Sequence, residues 1–149
     1  MIYKKDFYYK PYENELERAS NSYLMSLVVI IVGLPLPIIN LIASVAFYIA
    51  NRKSTTFVRW HCLQALLTQL LLFFLNFIAV WWTVFNIYYW KDYNVFYITY
   101  ISIVVFYNIV EFILTMYTAI GVRKGQHLYW HFFGKICDKY ILNSSESNH

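Results

Sequence analysis

The sequence predicts an all-α, polytopic membrane protein. It would have a first apolar segment broken by proline, as a hairpin or a kinked helix, then two long antiparallel transmembrane helices. A C-terminal amphipathic helix would lie at the membrane interface. Three observations predict this class. The chain of 149 residues is 60% apolar and 21% aromatic but only 13% charged, where soluble domains carry about 25% charge. Three runs, Tyr23–Ala50, Cys62–Trp90 and Asn94–Gly121, are nearly free of charge and each is 28 or 29 residues long; about 20 apolar residues span a bilayer core. The twelve Lys and Arg residues are confined to patches outside these runs.

That segregation accounts for the net charge of +4 as basic loops on one face of a membrane, and no nucleic-acid partner is implied. Residues 1–22 carry Asp6, Glu13, Glu15 and Glu17, which argues against a cleavable signal or transit peptide and suits a polar N-terminal tail. Cys62 and Cys137 stand far apart with no CxxC spacing, so neither a metal site nor a disulfide is expected.

The first segment, 23–50, contains "GLPLPIIN". Pro35 and Pro37 remove backbone donors and clash with the preceding turn, and each pushes the residue before it toward extended geometry. Gly33, Pro35, Pro37 and Asn40 therefore mark a helix break. A single kinked helix of this length would be about 42 Å long; the arms of a hairpin would each be about 20 Å, too short to cross. A kinked span divides the basic residues seven against five, and a hairpin divides them eleven against one, leaving only Lys91 apart. The positive-inside rule favours the hairpin, with all basic loops and the C-terminus cytoplasmic.

The second segment, 62–90, carries a stripe entered at His61 and continued by Gln64, Thr68, Leu72, Asn76, Ala79, Thr83 and Asn86. The steps of three and four follow the helical period. Hydrocarbon does not tolerate such a stripe, so it must face other helices or a cavity. The third segment, 94–121, has a matching stripe of Asn108, Glu111, Thr115 and Thr118, extended by Tyr97 or Tyr100. Joined through the short Lys91–Tyr93 loop, the two helices place Asn76 and Asn108 at one depth, where they are expected to hydrogen-bond. Glu111 is the one ionisable residue deep in a span. It either bonds helices together, handles a proton or ion, or meets a partner subunit. Trp81, Trp82, Phe85, Tyr88 and Tyr89 lead an aromatic belt at the far end. Phe57 and Trp60 are expected to anchor the near interface, with a cap for the second helix from Ser54, Thr55 or Thr56.

Beyond Gly121, residues 122–142 read as one amphipathic interfacial helix. His127 and His131 have the i, i+4 spacing of a metal pair but no third ligand nearby, so no metal and no cofactor is expected. Residues 143–149, NSSESNH, read as a disordered tail.

The stretch from Leu36 to Leu70, with Pro37, Asn40, Arg52, Lys53 and the core Phe57, Val58, His61, Gln64, Ala65, Leu66, resembles a Tic-like family. These are small bacterial membrane proteins related to the twenty-kilodalton Tic subunit of the chloroplast inner-envelope import machinery. Tyr117 to Trp130 is a second, weaker match. The resemblance implies a helical membrane bundle with both termini on one side, a bacterial inner-membrane location, and a link to protein translocation or envelope biogenesis. Some bacterial members occur in magnetosome membranes, and most have no assigned function. The expected function is a small, non-enzymatic accessory or scaffold subunit of a membrane complex, with the lipid bilayer and protein partners around it. The alternative is an oligomeric pore or carrier for a small solute or ion, lined by Asn76, Asn108 and Glu111.

Overall fold

The structure is a computed structural model and describes residues 2–31, 37–90 and 94–142. Strand β1 (Ile2–Lys4) is followed by α1 (Glu13–Ile31), α2 (Pro37–Ala50), α3 (Thr56–Phe85), α4 (Val95–Arg123), strand β2 (Leu128–Trp130) and α5 (His131–Cys137). Single π-helical stretches, Asn86–Trp90 and Asp138–Leu142, extend α3 and α5. At 1.5 Å per residue α3 and α4 are each about 45 Å long. Both are long and apolar enough to cross a membrane.

Helix α1 starts ten residues before the first apolar run, so the polar tail of residues 1–22 divides into a strand and the first turns of a helix. Its start is specified locally. The Glu15 carboxylate accepts from the Tyr12 backbone N–H at 2.7 Å and from the Tyr9 hydroxyl at 2.9 Å, the reach-back of a capping box. Ala19 and Tyr23 then pack with Phe57, Ala65, Ala119 and Val122. The small side chains let α1 approach α4 closely enough for the Ser20 hydroxyl to donate to the Ala119 carbonyl at 2.9 Å.

Pro37 is the first residue of α2, where its missing N–H costs nothing; Gly33 and Pro35 lie outside the described residues. Helices α1 and α2 pack on each other and both pack on α3, as the arms of a hairpin do. Asn40, one turn into α2, shares a cleft with Gln69 and Asn76 near the middle of α3. Thr55 precedes α3 without a side-chain cap bond; its hydroxyl is taken up by the Glu15 carboxylate at the start of α1. Phe57 and Trp60 are fully buried in the protein and are not interface anchors, since α1 and the C-terminal segment cover them.

The C-terminal segment departs most from expectation. Residues 122–142 do not form one interfacial helix. Helix α4 ends at Arg123; the Gln126 N–H bonds the Gly121 carbonyl at 3.0 Å and the Gly125 N–H bonds the Val122 carbonyl at 2.9 Å. This Schellman closure needs a left-handed residue, supplied by Gly125 at φ 82°. The chain then turns back as β2, antiparallel to β1 with Tyr3 opposite Tyr129. The strand forms because a partner 126 residues away in sequence offers it a ladder, which no local pattern announces. Gly134 completes the clasp: a Cβ there would lie 2.6 Å from the Tyr129 ring.

Candidate functional site: a polar seam and a lateral cleft

Every member of the α3 stripe from His61 to Asn86 is buried or half-buried, so the stripe faces protein. It forms a seam in two parts.

At the clasp end, His61 is fully buried. Its Nδ1 lies 2.9 Å from the Tyr23 hydroxyl and its Nε2 lies 3.1 Å from His127 Nδ1. Gln64 anchors the start of this chain. Its Oε1 accepts from the Trp130 N–H at 3.2 Å, which orients its amide so that Nε2 donates to Tyr23 Oη at 2.9 Å and to the Leu128 carbonyl at 3.2 Å. Tyr23, His61 and His127 thus form a continuous buried hydrogen-bonded chain, whose direction the histidine tautomers set. Both histidines are neutral in this arrangement. The rings of Trp60 and Phe57 pack on His61 at centroid distances of 4.9 and 4.5 Å. The Trp60 indole N–H donates to Asp138 Oδ1 at 2.8 Å, and Lys5 donates to Asp138 Oδ2 at 3.0 Å. Trp130 Nε1 reaches Thr118 Oγ1 at 3.0 Å.

Burial lowers the pKa of His127 to about 4, with Asp138 opposing and Lys5 adding to the shift. The unfolded value is near 6.5. The unfolded chain thus takes up a proton first, and acid favours it. The contribution of His127 to stability should be full above pH 6.5, fall through the window from 6.5 to 4 by up to about 3 kcal/mol at ~1.4 kcal/mol per pKa unit, and level off below. Unfolding titrations of the purified protein should show this slope. His127→Gln, which does not titrate, should make it shallower.

Deeper in the bundle, Asn76 and Asn108 exchange side-chain amide bonds at 3.1 and 2.9 Å, and the Asn108 amide also reaches the Val104 carbonyl at 2.7 Å. Tyr97 meets Thr83 at 2.9 Å and Tyr100 donates to the Leu75 carbonyl at 3.0 Å. Glu111 is buried; its Oε1 accepts from Gln69 Nε2 at 2.9 Å and from the Thr115 hydroxyl at 2.8 Å. Gln69 is off the stripe, one residue past Thr68, and its role was not legible from periodicity. Either Asn76→Leu or Asn108→Leu should cost about 1 kcal/mol, the scale of interhelical bonds in membrane bundles. The double variant should cost less than the sum, because neither amide is then left alone. A double-mutant cycle on thermal unfolding in detergent checks this.

Helices α3 and α4 touch each other far less than either touches α1. Between them, with the start of α2, lies a cleft of about 720 Å³. Its walls are mainly apolar, with Leu72, Phe73, Val104 and Phe112 among them, and its polar groups are Asn40, Gln69, Asn76, Asn108 and Glu111. Asn40 Oδ1 is buried with no hydrogen-bond partner among the described residues, as is Ser44 Oγ.

His127 and His131 do not form a metal pair. His127 is buried in the extended segment before β2 and faces His61, whereas His131 is exposed at the start of α5; the i, i+4 spacing has no helix under it. Among the described residues no group of three or more His, Cys, Asp or Glu side chains is placed to hold a metal. Cys62 and Cys137 are free and buried, and burial raises the Cys137 thiol pKa.

A family model described as the magnetosome magnetite crystal formation protein family, MamF/MmsF, matches residues 19–136. No curated protein matches the chain. No solved structure matches it. The family match overturns the resemblance to the Tic-like family, and the link to protein translocation falls with it. The physical reason is visible at the Phe57–Leu66 core on which that resemblance leaned. Phe57, Val58, His61, Gln64 and Ala65 are buried and hold α1 and the clasp onto α3, a packing role that identifies no process.

Proposed function

Because this chain belongs to the magnetosome magnetite crystal formation protein family, we propose that it is a small multi-pass accessory subunit of the magnetosome membrane. In this reading it supports crystal formation as a scaffold, without enzymatic activity. The observation that carries the proposal is the family match across most of the chain, joined to two helices long and apolar enough to span. Exposed side chains such as Phe74, Ile78, Ile103 and Phe106 suit lipid on the outer faces of α3 and α4. Helices α1 and α2 would enter from one side and return, which puts eleven of the twelve basic residues at the clasp end. The positive-inside rule makes that end cytoplasmic. Tyr88, Tyr89 and Phe96, all exposed, would form the belt at the opposite face. Only a short connection then stands at that face, so the protein would act within the bilayer and through its basic face, with protein partners or further copies of itself.

The scaffold reading is preferred to the pore because the seam's polar groups are largely used up in pairs: Asn76 with Asn108, Gln69 and Thr115 with Glu111, and both His61 nitrogens. Glu111→Gln should preserve an acceptor for Gln69 and Thr115. We expect it to assemble normally and to leave solute flux across the membrane unchanged; normal assembly with lost solute flux would instead favour the pore. The direct test is deletion and localisation in magnetosome-forming cells. The tagged chain should resist carbonate extraction from crystal-bearing membranes, and its deletion should alter crystal size or shape. Residence in another membrane with unaltered crystals would overturn the reading. With Cys62 and Cys137 replaced, Lys10→Cys and Lys53→Cys should label from the cytoplasm and Asn94→Cys from the opposite face.

A further inference from the structure

The cleft between α3 and α4 combines features that a packing defect would not. At about 720 Å³ it has the size of a small-molecule site. It opens sideways: Val80, Val105 and Ile109 line it and are exposed. Its walls are apolar, yet acceptor atoms stand on them with nothing to accept from. Asn40 Oδ1 is buried and unpartnered. Glu111 takes both of its hydrogen bonds on Oε1, and Oε2 takes none among the described residues. Asn76 and Asn108 satisfy one another reciprocally, and the Gln69 amide donates to Glu111 Oε1. A buried carbonyl oxygen left unpaired is costly, and no bulk water is available at this depth of a bilayer.

We infer that the cleft is a binding site for a membrane-dissolved amphiphile with an apolar body and a hydrogen-bond-donating polar end. The polar end donates to Asn40 Oδ1 and Glu111 Oε2, and the apolar body lies along Phe73, Val104 and Ile109. A bare cation is a poor occupant, because so large and apolar a space would leave most of its coordination shell unfilled. This inference rests on the membrane reading above, since only there does the lateral opening face lipid.

The test uses the full chain in liposomes of phosphatidylethanolamine and phosphatidylglycerol. The probe is a long-chain alcohol with a diazirine near its hydroxyl and an alkyne at its tail; the control is its methyl ether, which cannot donate. The alcohol should cross-link to peptides containing residues 69–80 and 101–112. Labelling should fall at least fivefold with the ether and with Val105→Trp, which fills the cleft, and about threefold or more with Asn40→Leu. Should Val105→Trp fail to fold, the ether and Asn40→Leu decide. Equal labelling by alcohol and ether, labelling spread over the outer faces of α3 and α4, or cross-linking to a second copy would each overturn the site. Carbonate extraction of the same liposomes separates the two readings: an extracted chain overturns membrane insertion, and a retained but unlabelled chain overturns the cleft alone.

Discussion

Trp60→Ala is expected to cost about 3–5 kcal/mol, the range for removing a large buried aromatic side chain. Trp60 is fully buried and packs against Tyr129, Cys137 and Ile141, with Leu63 and Leu67 at the edge of the cluster. Its ring lies 4.4 Å from His127 and 5.6 Å from Tyr129, centroid to centroid, and its N–H bonds Asp138. This one side chain on α3 thus contacts the C-terminal segment at His127, Tyr129, Cys137, Asp138 and Ile141. The loss should be polarised: the clasp should detach before the helical bundle unfolds. Limited proteolysis should cut the variant near Arg123 and Lys124 at temperatures where the wild type resists, while helical circular dichroism in detergent changes little. Simultaneous loss of both signals would show that the clasp and the bundle are one cooperative unit. Trp60→Phe keeps most of the buried area and should cost far less, because half-exposed Asp138 can take water in place of the indole.

Gln64→Leu is the second large effect. Leucine fills nearly the same volume, so the change isolates the hydrogen bonds. Gln64 serves three groups on two elements: the Tyr23 hydroxyl, the Leu128 carbonyl and the Trp130 N–H. Each buried group left unpaired costs about 1–3 kcal/mol, and a total of about 3–5 kcal/mol is expected because shared groups are not additive. The Trp130 amide should lose its protection from hydrogen exchange, and the pH dependence assigned to His127 should shift, since the Tyr23 hydroxyl that bonds His61 loses its Gln64 partner. A Gln64→Leu protein as stable as wild type, with Trp130 still protected, would show that the seam does not hold the clasp.

Much of the α3–α4 half of this arrangement was legible in the sequence. The α3 stripe could be read because a helix keeps its period whatever it packs against, and a polar stripe in an apolar run has only one tolerable direction. The Asn76–Asn108 pair followed from two helices joined by a short connection, which makes depth calculable by counting residues. Gln69 was missed because it stands one residue off the stripe, on the edge of the helix face that meets α4. Its partner Glu111 was singled out, but an isolated carboxylate does not name its donor.

The clasp end was not legible, for a reason of distance along the chain. His61 meets His127 across 66 residues, Trp60 meets Asp138 across 78, and Lys5 meets Asp138 across 133. Between Gly121 and Leu142 the sequence has a helical apolar period, and only Gly125 at positive φ together with a strand supplied by the N-terminus turns it into a strand and a short helix. The histidine spacing 127/131 was likewise a helical spacing on a segment that is not one helix.

By itself, then, the sequence determined the helical class, two helices long and apolar enough to cross a membrane, and the inward faces of α3 and α4. These depend on composition and local period, and the cost of polar groups in hydrocarbon enforces them. Only the tertiary structure decided that the N-terminal strand and the C-terminal segment close into one clasp over α3, and that α3 and α4 part to leave a cleft with unpaired acceptors. Both are properties of packing between distant segments, where the free energy depends on which surfaces meet, and no local pattern of residues records that choice.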